Sequence, residues 1–192
     1  MSQTRDKRRR TDLDLFVLAL IDSGVSTPYE FQKSAGLSPG ATIPALQRLL
    51  EAGFVRQGKP GVRGRTDYRV TPAGKKFLKA GWRILIEDGP SGDLDADLRV
   101  ALLALWVGGQ RSLALDFLRQ SANQRLELIE ASEGSVSDSA SVLADWYTRL
   151  RSLSAKALLQ AESAAAFALA EALPRKFPTK PIKLKRPVKP QK

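Results

Sequence analysis

At 192 residues the chain can hold one domain or two small ones, with 43% hydrophobic and 27% charged residues in ordinary globular balance. It contains no cysteine and no histidine, which excludes disulfides, thiolate metal sites and the commonest general base. There is no glycine-rich phosphate loop, and the acidic residues of 81–173 are spaced like those on solvent-exposed helix faces. We therefore expect no enzymatic activity, no cofactor and no metal site.

The net charge of +11 is unevenly distributed along the chain. Residues 1–10 carry five basic side chains and one acidic side chain, and residues 11–80 carry ten and six. Residues 81–173 carry eight basic and thirteen acidic side chains, and residues 174–192 carry eight basic ones and no acidic one. Such segregation is typical of a protein with one phosphate-facing end.

The longest purely apolar run, residues 15–21, is far shorter than the roughly 18 residues that a membrane-spanning helix needs. Acidic residues bracket this run, and no small-residue cleavage pattern follows it, which argues against a signal peptide. We predict a cytoplasmic, nucleoid-associated protein that has no membrane partner.

In chain order, residues 1–10 lack an apolar pattern and predict a flexible basic arm. The first helix follows and ends at Gly24, because apolar residues recur there at spacings of three and four. Thr27, Pro28 and Glu30 have the pattern of a capping box that opens a short second helix. The first helix is indicated by Leu13, Phe16, Val17, Leu20 and Ile21.

A third helix is predicted to begin between residues 40 and 42, because Pro44 is tolerated only in a first turn. Its core face is predicted to consist of Ile43, Leu46, Leu49 and Leu50, and Gly53 ends it. Gly40, Ala41, Pro44, Ala45, Gln47 and Arg48 are then predicted to point outward.

Two short strands, residues 54–57 and 66–70, are predicted on either side of a basic, glycine-rich loop. Thr71 and Pro72 then begin another helix. Helix, helix, helix, strand, loop, strand, helix is the order of a winged helix-turn-helix domain, which we predict over residues 11–88. The alternative is a small α+β domain with an incidental hairpin, but the loop carries three basic residues and no acidic one.

Beyond a hinge at residues 89–92, apolar spacing predicts a helical dimerisation domain over residues 93–173. The predicted fold class is thus mainly α with a small β-hairpin wing. Long helices in so small a unit leave apolar surface uncovered, which favours a homodimer on paired half-sites. A self-contained helical bundle is the alternative.

Residues 174–192 contain five prolines and no acidic residue. This composition predicts a disordered Pro/Lys-rich basic tail. The tail either contacts phosphates without reading sequence or only increases solubility.

Residues 13–78 resemble the winged-helix domain of PadR-type transcriptional regulators. The resemblance is carried by TPYEF at 27–31, by residues 37–49, by EAGFV at 51–55 and by residues 64–74. It implies a DNA-binding repressor that dimerises through its C-terminal helices, with Asp145 and Trp146 in the last of them. Two features depart from the family: Ile43 stands where a DNA-contacting tyrosine is usual, and the Pro/Lys tail is additional.

DNA contacts are predicted on the third helix and around it. Arg48 can bond to guanine or phosphate, and Gln47 can pair with adenine. The hydroxyls of Ser38 and Thr42 lie near the helix N-terminus, where they suit a phosphate. Tyr29 is either a core or a contact residue, and we predict contact. The wing is predicted to bind DNA through Lys59, Arg63 and Arg65.

These features predict a sequence-specific transcriptional regulator, a repressor by family habit, that binds double-stranded DNA as a homodimer. PadR-like proteins often bind aromatic molecules near the dimer interface, so Trp106, Trp146 and Tyr147 are candidates for a small aromatic effector, although buried aromatic residues more often form plain core. Two alternatives remain: a nonspecific architectural DNA-binding protein that uses its basic tails, and an interaction adaptor that uses a winged helix without DNA.

Overall fold

The computed structural model describes residues 2–58, 66–132 and 142–175. These residues are mainly helical and include a two-stranded antiparallel hairpin, which confirms the predicted fold class at this level. None of the helices described is long and apolar enough to cross a membrane. The elements are α1 Ser2–Asp22, α2 Pro28–Ala35, α3 Pro39–Glu51, β1 Val55–Gln57, β2 Tyr68–Val70, α4 Pro72–Glu87, α5 Leu94–Trp106, α6 Arg111–Ser132 and α7 Val142–Ala172.

Helix α1 begins at Ser2, so residues 2–10 of the segment predicted as a flexible basic arm are helical. Gln, Arg and Lys have good helix propensity, and no glycine or proline interrupts the segment. Further along, Leu15, Val17 and Leu18 are fully buried. Helix α1 lies at the centre of the fold, since it contacts α3, α4 and α5.

Local caps fix the ends of α2 and the start of α3. The predicted capping box is present: the Thr27 hydroxyl accepts a bond from the Glu30 amide (3.2 Å), and the Glu30 carboxylate accepts one from the Thr27 amide (3.0 Å). Helix α3 begins at Pro39, earlier than predicted, because Ser38 caps it. Pro44 therefore lies inside the helix, where it leaves the carbonyl of the exposed Gly40 without its helical partner.

The hairpin is held against the start of α4. Its register pairs Val55 with Val70, Arg56 with Arg69 and Gln57 with Tyr68. At its base the Thr71 hydroxyl donates to the Gly53 carbonyl (2.7 Å). A Cβ atom at Gly74 would lie 2.1 Å from the Phe54 carbonyl oxygen, so only glycine allows this helix to approach so closely.

One core runs through both predicted domains. The predicted hinge is the non-helical segment between α4 and α5, but the buried cluster continues across it. Leu46 of α3, Leu103 of α5 and Phe117 of α6 belong to this same cluster.

Helices α6 and α7 pack antiparallel to each other. Arg119 pairs with Glu171 (3.1 Å), and Arg125, further along α6, pairs with the earlier Glu162 (3.1 Å). Continuing this register places the end of α6 opposite roughly residue 155 of α7. The first turns of α7 therefore extend past the end of α6.

A buried polar network joins α5, α6 and α7. Asp97 is fully buried and accepts hydrogen bonds from the Ser121 hydroxyl (2.6 Å) and the Ser91 amide (2.7 Å). Arg125, also fully buried, donates to the Ser121 carbonyl (2.7 Å) and to its hydroxyl, and lies 3.5 Å from Asp97. The expectation that the acidic residues of 81–173 lie on solvated faces is therefore wrong for Asp97.

Candidate nucleic-acid interface

The exposed face of α3 is displaced from the predicted one. Thr42 and Ala45 are fully buried, together with the predicted core residues Leu46 and Leu49. Ile43, predicted to be core, is 47% exposed instead. The buried positions 42, 45, 46 and 49 follow helical spacing. The prediction missed this pattern because isoleucine is more hydrophobic than threonine, so position 43 was assigned to the core instead of position 42.

Beyond Pro39, the residues that α3 presents to solvent form one row along the helix. They recur every three or four positions, which is the spacing of a single helix face. No acidic residue interrupts this row before Glu51, at the C-terminal end. The row consists of Gly40, Ile43, Pro44, Gln47 and Glu51.

The two hydroxyl residues at the start of α3 have different environments. Ser38 is exposed, and its Oγ accepts a hydrogen bond from the Ala41 amide (3.3 Å) as the helix cap. Thr42 donates its hydroxyl to the Ser38 carbonyl (3.2 Å) and has no exposed surface. The predicted DNA contact by Thr42 is therefore wrong, because its hydroxyl bonds back within the helix.

Arg48 is held within the protein by a carboxylate of α1. Its Nε donates to Asp14 Oδ2 (2.9 Å), and its Nη2 donates to Asp14 Oδ1 (2.6 Å). These hydrogen bonds raise the pKa of the Arg48 guanidinium. The fork of Arg48 that was predicted to bond to guanine or phosphate is thus bonded to Asp14 in the structure, and its contact with DNA stays a prediction.

The other predicted contact residues divide between exposed and undescribed positions. Gln47 is exposed on α3, as predicted, and Tyr29 is 58% exposed on the first turn of α2, which excludes a core role. The three predicted wing cations, Lys59, Arg63 and Arg65, lie outside the described residues.

Two further cations lie at the base of the hairpin and were missed by the sequence analysis. Arg56 and Arg69 are directly opposite each other across the two strands, and both are exposed. Arg69 makes one long ion pair, from Nε to Asp67 Oδ2 (3.4 Å). Aligning the two predicted strands about the loop could have found this pair.

The predicted aromatic site is only partly assembled. Trp106 is 43% exposed and lines an apolar groove between α1 and α5 together with Phe16, Leu20 and Leu102. This groove is about 220 Å³, which is smaller than the roughly 300–1,000 Å³ of pockets that bind drug-sized ligands. Tyr147 is 66% exposed on α7 and does not line it, and the side chain of Trp146 lies outside the described part of the chain.

Large apolar side chains are exposed along α7. This helix leaves Tyr147, Leu150, Leu153 and Leu158 each at least 60% exposed. Three of them lie in or next to the turns that extend past α6. Large apolar side chains exposed together in this way are a common feature of protein–protein contact surfaces.

No family model matches the chain, and no curated protein or solved structure matches it. The PadR-type resemblance therefore stays a prediction, carried by the residues quoted above. Within the ranges that the structure describes, no group of three or more acidic side chains is arranged to hold a metal ion.

Proposed function

We propose that this chain is a DNA-binding transcriptional regulator that inserts α3 into the major groove and lays its hairpin on the DNA backbone. The observation that carries the proposal is the exposed row of α3, which lies between a capped N-terminus and a hairpin with exposed arginines. From Gly40 to Gln47 this row is small or uncharged, which allows close approach to base edges. The exposed Ser38 at the helix N-terminus and the flanking cations suit phosphates on either side.

The same proposal includes a homodimer formed through α7. Its exposed residues Leu150, Leu153 and Leu158 support this step, because a monomer would leave them in water. A two-fold partner would cover them and would set two copies of α3 on paired half-sites.

One observation favours a second candidate, the nonspecific architectural DNA-binding protein. With Arg48 bonded to Asp14, Gln47 is the one amide or guanidinium side chain on the exposed row of α3 able to read bases directly. Binding by charge alone needs no more than the basic surfaces. The two candidates differ in how affinity depends on DNA sequence.

Binding of the full chain to two duplexes at several salt concentrations tests both candidates. One duplex is the DNA upstream of its own gene, and the other is a scrambled sequence of equal length. A preference of about a thousandfold that persists as salt rises indicates a site-specific regulator. Equal affinities that fall together with salt indicate the architectural protein for this DNA, and no binding to either duplex contradicts both.

Gln47→Ala tests the reading of bases by α3. We expect affinity for the preferred duplex to fall by about 1–3 kcal/mol while affinity for the scrambled duplex is unchanged, because base contacts carry the sequence preference. Gln120→Ala, an equivalent change at an exposed position on α6, is the matched control. An equal loss of affinity for both duplexes would show that α3 does not read bases through Gln47.

A further inference from the structure

The hairpin places two like charges directly opposite each other. Arg56 and Arg69 are direct partners in the antiparallel register, with Val55 buried and Val70 half-buried next to them. Because side chains alternate between the faces of a strand, both arginines project from the solvent face. Their Cβ atoms are then about 4.5–5.5 Å apart, as in any directly opposed pair.

Like charges at opposed positions destabilise a hairpin. The nearby carboxylate of Asp67 offsets this little, since it contacts Arg69 at 3.4 Å while two thirds of the Arg69 side chain is exposed. Among the described residues, no carboxylate forms an ion pair with Arg56. Within the described residues, Asp67 is therefore the only carboxylate paired with either arginine.

An anion bound between the two arginines would replace their mutual repulsion with attraction to the anion. Guanidinium groups present planar forks that match phosphate oxygens, and two of them can hold one phosphate from two sides. The next pair of the ladder, Gln57 and Tyr68, lies on the loop side of the two arginines. The hairpin continues from here into the basic loop whose cations we predict to lie on DNA.

We propose that Arg56 and Arg69 together clamp a single phosphate of the DNA backbone at the base of the hairpin. This inference rests on the proposed DNA-binding function and adds to it a defined backbone contact. The clamp positions the hairpin on the duplex and carries no base information, since phosphates are the same in every sequence.

The experiment compares Arg56→Gln, Arg69→Gln and the double variant with the unmodified full chain. Each single variant weakens binding to the preferred and scrambled duplexes by the same factor, on the order of tenfold for a charged hydrogen bond. The double variant weakens binding by less than the product of the two single effects, because both arginines hold one phosphate. Its slope of log affinity against log salt falls by about 0.9, the value for one phosphate.

Arg119→Gln, which removes an exposed arginine from α6, is the matched control for lost charge and leaves the slope unchanged. Urea unfolding separates the clamp from a structural role. Each single hairpin variant keeps or slightly increases the free energy of unfolding, because it removes a like-charge contact.

Three results would overturn the clamp. Multiplicative losses with a slope change of about 1.8 would show two separate phosphates. A single variant that loses stability would show that the arginines support the fold. Unchanged DNA binding in all three variants would reject the clamp alone, whereas failure of the unmodified chain to bind any duplex would reject the proposed function with it.

Discussion

At the hairpin, Arg56 and Arg69 are exposed and face each other, whereas Arg125 in α6 is fully buried among groups that neutralise it. Asp97 lies 3.5 Å from Arg125, and the Glu162 carboxylate accepts a hydrogen bond from Arg125 Nε (3.1 Å). Burying a cation is costly unless it is paired and hydrogen-bonded, so the interior arginine needs carboxylates around it. Among the described residues at the hairpin, only Arg69 has a carboxylate partner, the long and exposed contact with Asp67 (3.4 Å), which leaves most of the charge of the pair available to an outside anion.

This difference shows why net charge is a poor guide to a binding surface. Arg48 and Arg99 also count toward the total of +11, yet Asp14 and Asp12 hold them within the protein. Position relative to the nearest carboxylate decides whether an arginine supports the fold or faces a partner.

The largest effect is expected from Asp97→Ala. Removing this carboxylate leaves Arg125 buried with one counter-charge fewer and frees the Ser121 hydroxyl, so the free energy of unfolding should fall by about 3–5 kcal/mol. Urea unfolding followed by circular dichroism measures the loss. Asp116→Ala, at an exposed position on α6, should change stability by less than about 0.5 kcal/mol. Similar small effects for both would show that the buried network contributes little.

The next effect concerns α7, where apolar rather than charged residues face outward. Leu150→Glu with Leu153→Glu should raise the dissociation constant of the proposed dimer by more than about a hundredfold, because both copies lose buried leucines. Sedimentation velocity over a dilution series measures this change. Arg149→Glu with Ser152→Glu adds carboxylates in the same turns without removing an apolar side chain. A chain that is monomeric before any substitution would contradict the proposed dimer.

Arg48 is intermediate between the buried Arg125 and the exposed hairpin arginines. Its side chain is 36% exposed, and Asp14 holds it bidentately. A double-mutant cycle with Arg48→Met and Asp14→Asn should give a coupling of about 0.2–1 kcal/mol in the free energy of unfolding. The more exposed pair Arg119 and Glu171 should give less. The salt dependence of DNA binding should be unchanged in Arg48→Met. A slope reduced by about 0.9 would place Arg48 on a phosphate, with the hairpin pair.

Local signals in the sequence predicted local structure well. The capping box of Thr27 and Glu30 and the cap at Thr71 are present, because both depend on residues within one turn. The two predicted strands also pair, although each begins one or two residues later than predicted.

Contacts between distant residues could not be predicted in the same way. Asp14 and Arg48 are 34 positions apart, and nothing in either segment indicates that α1 and α3 bring them together. Asp97 looked like a surface residue because its partners lie in α6 and in the segment before α5. The orientation of α3 was missed because Thr42 occupies a core position and Ile43 an exposed one, which reverses the usual preference of these residue types.

The smallest effect is expected from Asp12, whose carboxylate is buried beside Arg99 (2.8 Å) while its Oδ1 lacks a hydrogen-bond partner. Burial raises the pKa of Asp12 above its usual 3.8, and this outweighs the lowering effect of Arg99. The folded protein thus binds this proton more tightly than the unfolded chain does. The stabilisation is fully present below pH 3.8 and is lost as pH rises through the raised value.

Asp12→Asn removes this titration while its amide oxygen can still accept a bond from Arg99. The difference in the free energy of unfolding, variant minus unmodified protein, should therefore be more negative near pH 3.8 than at neutral pH. Urea unfolding at both pH values measures the difference, with Asp116→Asn as the exposed control. A difference of the opposite sign would show that the attraction of Arg99 outweighs burial, and Asp12 would then resemble the fully compensated carboxylates around Arg125.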